Sequence, residues 1–179
     1  MIDATLELLA DRPVEHITVR EVAERSGHHH RFVAAWFGGK AGLFKAVFEQ
    51  LVRQLAPTGR MLTESGHIDP RAEQVVQLLN WLVANHPEAF ADRAETPLVD
   101  AMAAAHVAMG IADDDARLLA QLVLAATVGV ILFGNVLGLQ PGDAARLYEM
   151  QMQMATALRH DSGADARHPV VPDGTPGSA

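Results

Sequence analysis

Three consecutive histidines, His28, His29 and His30, run directly into Arg31. Imidazoles suit metal ligation, and imidazoles beside a guanidinium also suit an anion. The two chemistries make different demands. A metal site needs several ligands converging on one point. Consecutive side chains around a turn diverge, and no second cluster of His, Asp or Glu lies nearby at ligand spacing, so neither metal nor cofactor is expected. A nucleic acid asks only for cations and donors on one exposed face. Arg31 is the strongest candidate for reading a base, through the two-pronged pairing of arginine with guanine. A phosphate contact is its plainer alternative. Protonated His29 and His30 would add charge beside it. Phe32 is a candidate for thymine methyls or for the core. Trp36 is a candidate for the sugar–phosphate backbone or for closing the core.

These side chains need a scaffold, and local signals supply one. Ile2, Leu6 and Leu9 repeat at helical spacing, and Pro13 ends that helix. Thr18-Val19-Arg20-Glu21 is a capping box, in which Thr18 takes an amide of the first turn and Glu21 reaches back. It predicts a short helix over 18–26, closed by Gly27. A second short helix is expected over 29–37, ending at Gly38-Gly39, and a longer one over 40–56. Val22 and Ala23 must face Val33 and Phe37, leaving one polar face of the second helix outward. Two short helices around a glycine turn, supported by a first helix, form a helix-turn-helix module whose second helix can enter a major groove.

The run Thr18–Gly27, then Phe32-Val33, Trp36-Phe37-Gly38-Gly39-Lys40 and Gly42-Leu43-Phe44, resembles the TetR family of bacterial transcriptional regulators. Ile2–Ala10 resembles that family's first helix. The close resemblance covers 2–52; beyond it only the architecture is similar. The resemblance implies a phosphate contact at Thr18 and another at Lys40, with Arg20 and the outward residues of 29–36 completing the DNA face. It also marks departures. His28-His29-His30 replaces a Val-Ser-Lys-like run, Ala34 stands where a tyrosine is usual, and Trp36 stands where tyrosine or histidine is. The basic arm that often precedes the first helix is not seen. The operator sequence therefore cannot be borrowed from a relative.

Composition agrees with a two-part chain. Its 179 residues carry a net charge of −8 and no cysteine, which excludes disulfides and thiolate metal sites. Residues 1–55 hold seven basic and seven acidic side chains, and the remainder hold seven and fifteen. Within 20–53 the balance is six to three in favour of Lys and Arg. The basic stretch coincides with the module, as an anion-facing piece requires. No secretory signal is visible, and a cytoplasmic location is expected.

Nearly every other segment reads as helix, at about 70–86, 87–93, 97–109, 114–139 and 142–159. The fold expected is all-α: a three-helix helix-turn-helix module over 1–46, a larger helical bundle over 47–160, and a disordered tail over 161–179 rich in Gly, Pro and Ala. In the bundle, Trp81, Phe90, Met102, His106, Met109, Phe133, Asn135 and Tyr148 are candidates for an apolar ligand cavity with a few polar groups. Each has plain core packing as its alternative. Residues 118–139 are long and apolar enough to span a bilayer. Gln121, Thr127 and Asn135, with a triple aspartate just before, favour a buried interface helix and no membrane. Small residues at Ala125, Ala126, Gly129, Gly134 and Gly138 permit close helix contact. Leu122 and Phe133 join Ala125, Ala126 and Gly129 on this helix, and Leu147, Met150 and Met154 lie on the next. Together they predict a four-helix interface between two chains. The resemblance implies the same dimer, and a two-fold dimer suits a palindromic operator.

No Gly-x-Ser-x-Gly elbow, phosphate loop, His-Glu-x-x-His pair or convincing carboxylate pair is present, so no enzyme is expected. The leading expectation is a dimeric, sequence-specific repressor of double-stranded operator DNA, released by a small apolar ligand. The alternative is a helical ligand-binding or interaction protein with a degenerate DNA-binding module.

Overall fold

The computed structural model describes residues 1–58, 61–63, 65–90, 96–140 and 142–165, the final eight as backbone. Eight α-helices follow in chain order: α1 (Ile2–Asp11), α2 (Val19–Arg25), α3 (Arg31–Phe37), α4 (Lys40–Leu55), α5 (Pro70–Asn85), α6 (Pro97–Ala108), α7 (Asp113–Phe133) and α8 (Asp143–Asp165). Short 3-10 turns lie at Val14–His16 and Pro87–Phe90. Among the described residues the one extended pairing is an isolated antiparallel bridge between Leu62 and Ile68. The expected helix over 87–93 is this second turn; Ala91 to Glu95 lie outside the described residues.

The module forms for the reasons its sequence states. Both halves of the capping box are made. The Glu21 amide donates to Thr18 Oγ1 at 3.2 Å, and the Thr18 amide donates to Glu21 Oε2 at 2.9 Å. Val22, Ala23 and Val33 are buried, and Phe37 packs on the same core as Val22 and Val33. Two ion pairs tie the helices at the surface, Arg12 to Glu21 and Arg25 to Glu7. Their partial exposure makes each a small contribution.

The turn between α3 and α4 is two glycines, both with positive φ. Gly42 then does something different. A Cβ there would overlap the Phe37 carbonyl. Only a bare glycine lets the first turn of α4 pass against the end of α3. The angle between those helices is therefore set by backbone contact.

α4 leaves the module and becomes a central strut of the bundle. Leu43, Phe44, Val47, Phe48, Leu51, Val52 and Leu55 are all buried on it. α5 and α6 pack against it, and α7 packs on α5 and α6. One hydrophobic core runs from Leu8 in the module to Val123 in α7. Asp69 caps α5, accepting from the Arg71 amide at 2.8 Å, and holds the Arg71 guanidinium in two further hydrogen bonds. Those bonds keep its carboxyl below the usual aspartate range.

Four boundaries differ from the sequence expectation. α3 starts at Arg31, so His29 and His30 lie in the turn before it. α7 begins at Asp113, which places the three aspartates in its first turn, where the helix dipole favours negative charge. It ends at Phe133 instead of 139, because the chain turns through Gly134 and Gly138, the latter at φ 73°. α8 continues to Asp165, five residues into the segment expected to be a tail; 166–179 lie outside the described residues.

Candidate functional site

The outward side of the module carries the residues singled out for DNA. Arg20, His28, His29, His30, Arg31, Ala34 and Trp36 are exposed, and Phe32 is half-buried. Arg20, His28, His29 and His30 line an open groove of about 430 Å³ between α2 and the turn. Arg20 is held by Glu24 one turn along, Nε to Oε1 at 2.8 Å, on the exposed surface.

The histidines have distinct local roles. His28 Nδ1 lies 2.6 Å from the Ser26 carbonyl oxygen, so it must donate there. His29 Nδ1 accepts from the Arg31 amide at 3.2 Å, so its proton sits on Nε2. His29 thus serves the first turn of α3 as a cap, and its outward edge is a donor. The three rings do not converge. Among the described residues no group of three His, Asp or Glu side chains could hold a metal.

The aromatic pair on α3 forms a stacked shelf. Phe32 and Trp36 lie parallel, with centroids 4.9 Å apart. The Arg31 guanidinium carbon sits 5.1 Å from the Phe32 ring, and His28 meets the Trp36 edge. Phe32 has therefore neither entered the core nor projected alone. Trp36 remains 56% exposed, so the core-closing alternative for it is not what forms.

Thr18 and Lys40 depart from the simplest picture of two free phosphate donors. The Thr18 hydroxyl donates to Glu21 Oε2 at 2.8 Å while accepting the Glu21 amide. Donation from the Thr18 hydroxyl and then from the Thr18 amide holds the Glu21 carboxyl below the usual glutamate range, with the Arg12 guanidinium helping. The Lys40 Nζ lies 5.1 Å from the centroids of both Phe44 and Trp81. Burial pushes the Lys40 ammonium down from the ordinary lysine range, against the pull of Glu15 and Glu21. Trp81, expected in a ligand cavity, instead meets Phe44 edge-on and tilts against His86. The first residue of α4 is thereby joined to α5 of the bundle.

A separate cavity of about 470 Å³ lies in the bundle, within the usual size for a small-molecule site. Phe48 and Val52 of α4, Val75, Val76, Leu79 and Val83 of α5, Leu98 and Val99 of α6, and Leu124 and Val128 of α7 line it. Pro87, Phe90 and Thr96 complete the wall.

Of the eight ligand candidates, only Phe90 lines this cavity, where it meets Phe48 edge-on. Met102 is core. His106 is buried core too, with Nδ1 donating to the Ala116 carbonyl at 3.3 Å. Met109 and Phe133 are exposed. Asn135 lines a separate surface cleft beside Gln140, and Tyr148 lines a narrow one beside Leu62. In the sequence, aromatic and polar side chains are what stand out as ligand contacts. The cavity is walled by valines and leucines from four helices, which read as ordinary core. One signal was present: α5 carries apolar residues at 75, 76, 78, 79, 82 and 83, more than one buried face needs.

The dimer candidates are uncovered in part. Leu122, Ala125, Phe133, Met150 and Met154 are exposed, while Ala126, Gly129 and Leu147 are half-buried. Leu118, Val136 and Leu137 extend the same apolar surface. A Cβ added at Gly129 would meet open space. Among the described residues α7 is the one helix long and apolar enough to cross a membrane. Its other face is in the core through Ala116, Leu119, Ala120 and Val123.

Residues 1–47 match the family model of "Bacterial regulatory proteins, tetR family". No curated protein matches the chain. Among solved structures, the chain is similar to the TetR family repressor AlkX from Dietzia sp. strain DQ12-45-1b, implicated in biodegradation of n-alkanes. The TM-score is 0.54 at 19% identity, over 89% of this chain and 93% of that one. A TetR variant from Acinetobacter baumannii AYE in complex with minocycline matches with TM-score 0.45 and 20% identity, over 94% and 96%. The AlkX likeness covers both the module and the bundle, and what it shows is the fold. Residues 1–47 thus form a module of the kind found in tetR-family bacterial regulatory proteins.

Proposed function

We propose that this regulator is a cytoplasmic homodimeric repressor of a palindromic operator, released by a small apolar ligand held in the α4–α7 cavity. The observation that carries this reading is the double role of α4. Its Phe48 and Val52 line the cavity, while its Gly42 bears directly on the end of α3. A ligand that favours one tilt of α4 then favours one placement of the recognition helix. The size of the release is set by the ligand's differential affinity for the two tilts.

In this reading Arg31 reads a base, His29, His30 and Arg20 reach base edges or phosphates, and the Phe32–Trp36 shelf lies on the sugar–phosphate backbone, with Ala34 leaving room for it. Thr18 and Lys40 contact phosphates. Lys40 must swing out from the Phe44 and Trp81 rings to do so. The apolar outer face of α7 and α8 is covered by a second copy and not by lipid, since α7 already gives its other face to the protein core. Two copies supply the two recognition helices that a palindrome requires.

The test is fluorescence anisotropy of the full chain against DNA from upstream of its own gene, across a salt series, with unrelated DNA as control. Tight binding to the upstream DNA alone, falling steeply with salt, is expected. Equal weak binding to both DNAs would overturn the reading in favour of a ligand-binding protein with a degenerate module.

A further inference from the structure

We infer that Phe32 is a positioning residue for Arg31, and that its ring sets how strictly the arginine reads a base. The inference rests on the reading of α3 as the recognition helix of a sequence-specific DNA-binding protein. Arg31 opens α3 and is exposed. An untethered arginine samples many rotamers, and ordering it on DNA costs entropy. Here the guanidinium carbon lies 5.1 Å from the centre of the Phe32 ring. A guanidinium is flat and weakly hydrated, which suits it to an aromatic face.

The ring is itself held. Phe32 stacks on Trp36, one helical turn along, with centroids 4.9 Å apart and planes 16° from parallel. His28 meets Trp36 edge-on at 5.5 Å, and its Nδ1 is anchored on the Ser26 carbonyl at 2.6 Å. A column of four side chains thus runs from the turn after α2 to the first residue of α3. The Arg31 amide is tied separately, donating to His29 Nδ1 at 3.2 Å. Backbone and head group of Arg31 are therefore both constrained before DNA arrives.

Two hydrogen bonds to guanine O6 and N7 demand a guanidinium in one place and one plane. A phosphate contact carries no sequence information. Ordering Arg31 in advance lowers the cost of the two-pronged contact. Removing the ring should therefore show at the one base pair that Arg31 reads.

The test is fluorescence anisotropy of the full chain against the upstream DNA and a set of its single-base-pair variants. Arg31→Ala identifies the position whose discrimination depends on Arg31. Phe32→Leu removes the ring and keeps an apolar side chain of good helix propensity. It is expected to lower discrimination at that position about two- to fivefold, whatever it costs on all DNAs alike. That loss is expected to vanish in the Arg31→Ala background, and Phe32→Tyr, which keeps the ring, is expected to keep the discrimination. Phe32→Met carries the same expectation as Phe32→Leu, so the comparison uses whichever of the two unfolds cooperatively. Discrimination that survives loss of the ring, or that Phe32→Tyr also loses, overturns the inference and leaves sequence-specific binding standing. An Arg31→Ala variant that alters no single position overturns it too and assigns Arg31 to phosphate. A parent chain that binds upstream and unrelated DNA alike overturns the reading of function, and the inference falls with it.

Discussion

The module and the bundle use apolar residues in opposite ways. In the module they are consumed. Val22, Ala23 and Val33 are buried, and what remains outside is polar, cationic or aromatic. In the bundle they are left over twice, once as a cavity among α4, α5, α6 and α7 and once as the outer face of α7 and α8. So much exposed apolar surface marks a place where a partner fits. The difference teaches where to look for each partner. On the proposed reading a polyanion belongs with the tightly fitted module, and apolar partners belong with the loosely filled bundle.

The sharpest way to break the contrast is at the joint between the two regions. Gly42→Val is expected to cost about 4 kcal/mol of stability, because its side chain overlaps the Phe37 carbonyl and the α3–α4 crossing must open. Urea unfolding measures it, and a loss below about 1 kcal/mol would mean the joint is compliant. Next comes the outer face. Leu122→Glu together with Met154→Glu puts charge where a second copy would lie, and self-association should weaken by about 3 kcal/mol or more. Sedimentation velocity should then show monomers, with palindrome binding falling in step. A double variant that remains dimeric places the contact elsewhere.

Within the module, Arg31→Ala is expected to lose about 1–3 kcal/mol of operator affinity and to relax specificity at one base position. A uniform loss across sequences would assign Arg31 to phosphate. A smaller effect is expected at the aromatic cradle that joins the regions. Trp81→Leu removes one of the rings holding Lys40, so DNA binding should tighten by roughly threefold, in line with about 0.5–1 kcal/mol for such a contact. Lys40→Met in the same background should erase that gain. Weaker binding by Trp81→Leu would mean that the ring positions Lys40 for the phosphate instead of restraining it.

The smallest expected effect concerns the cap of α2. The folded state lowers the Glu21 carboxyl, first through the Thr18 hydroxyl and amide. A lowered carboxyl contributes stability that is complete above its ordinary range and is lost as pH falls through the lowered value. Thermal unfolding of Glu21→Gln against the parent should therefore differ at neutral pH and converge in acid. A difference that persists in acid would place the contribution in packing and not in charge.

The legibility of the chain follows the same division. The capping box at Thr18–Glu21 and the glycine turn after Phe37 were both readable, because each is settled within a few residues. The outer face was readable too: Leu122, Phe133, Met150 and Met154 repeat on long helices with small residues between them. The cavity was not. Val75, Leu79, Leu124 and Val128 are indistinguishable from core until their helices are placed around a space they do not fill. Lys40 shows the limit most plainly. The sequence by itself determined that a lysine opens α4 beside the recognition helix. Only the tertiary structure decided that its ammonium rests on Trp81, forty-one residues away on α5. Local hydrogen-bonding rules act along the chain and can be read from it. A cation over a ring on another helix depends on how far apart two helix axes settle, and that distance comes from the packing of every side chain between them.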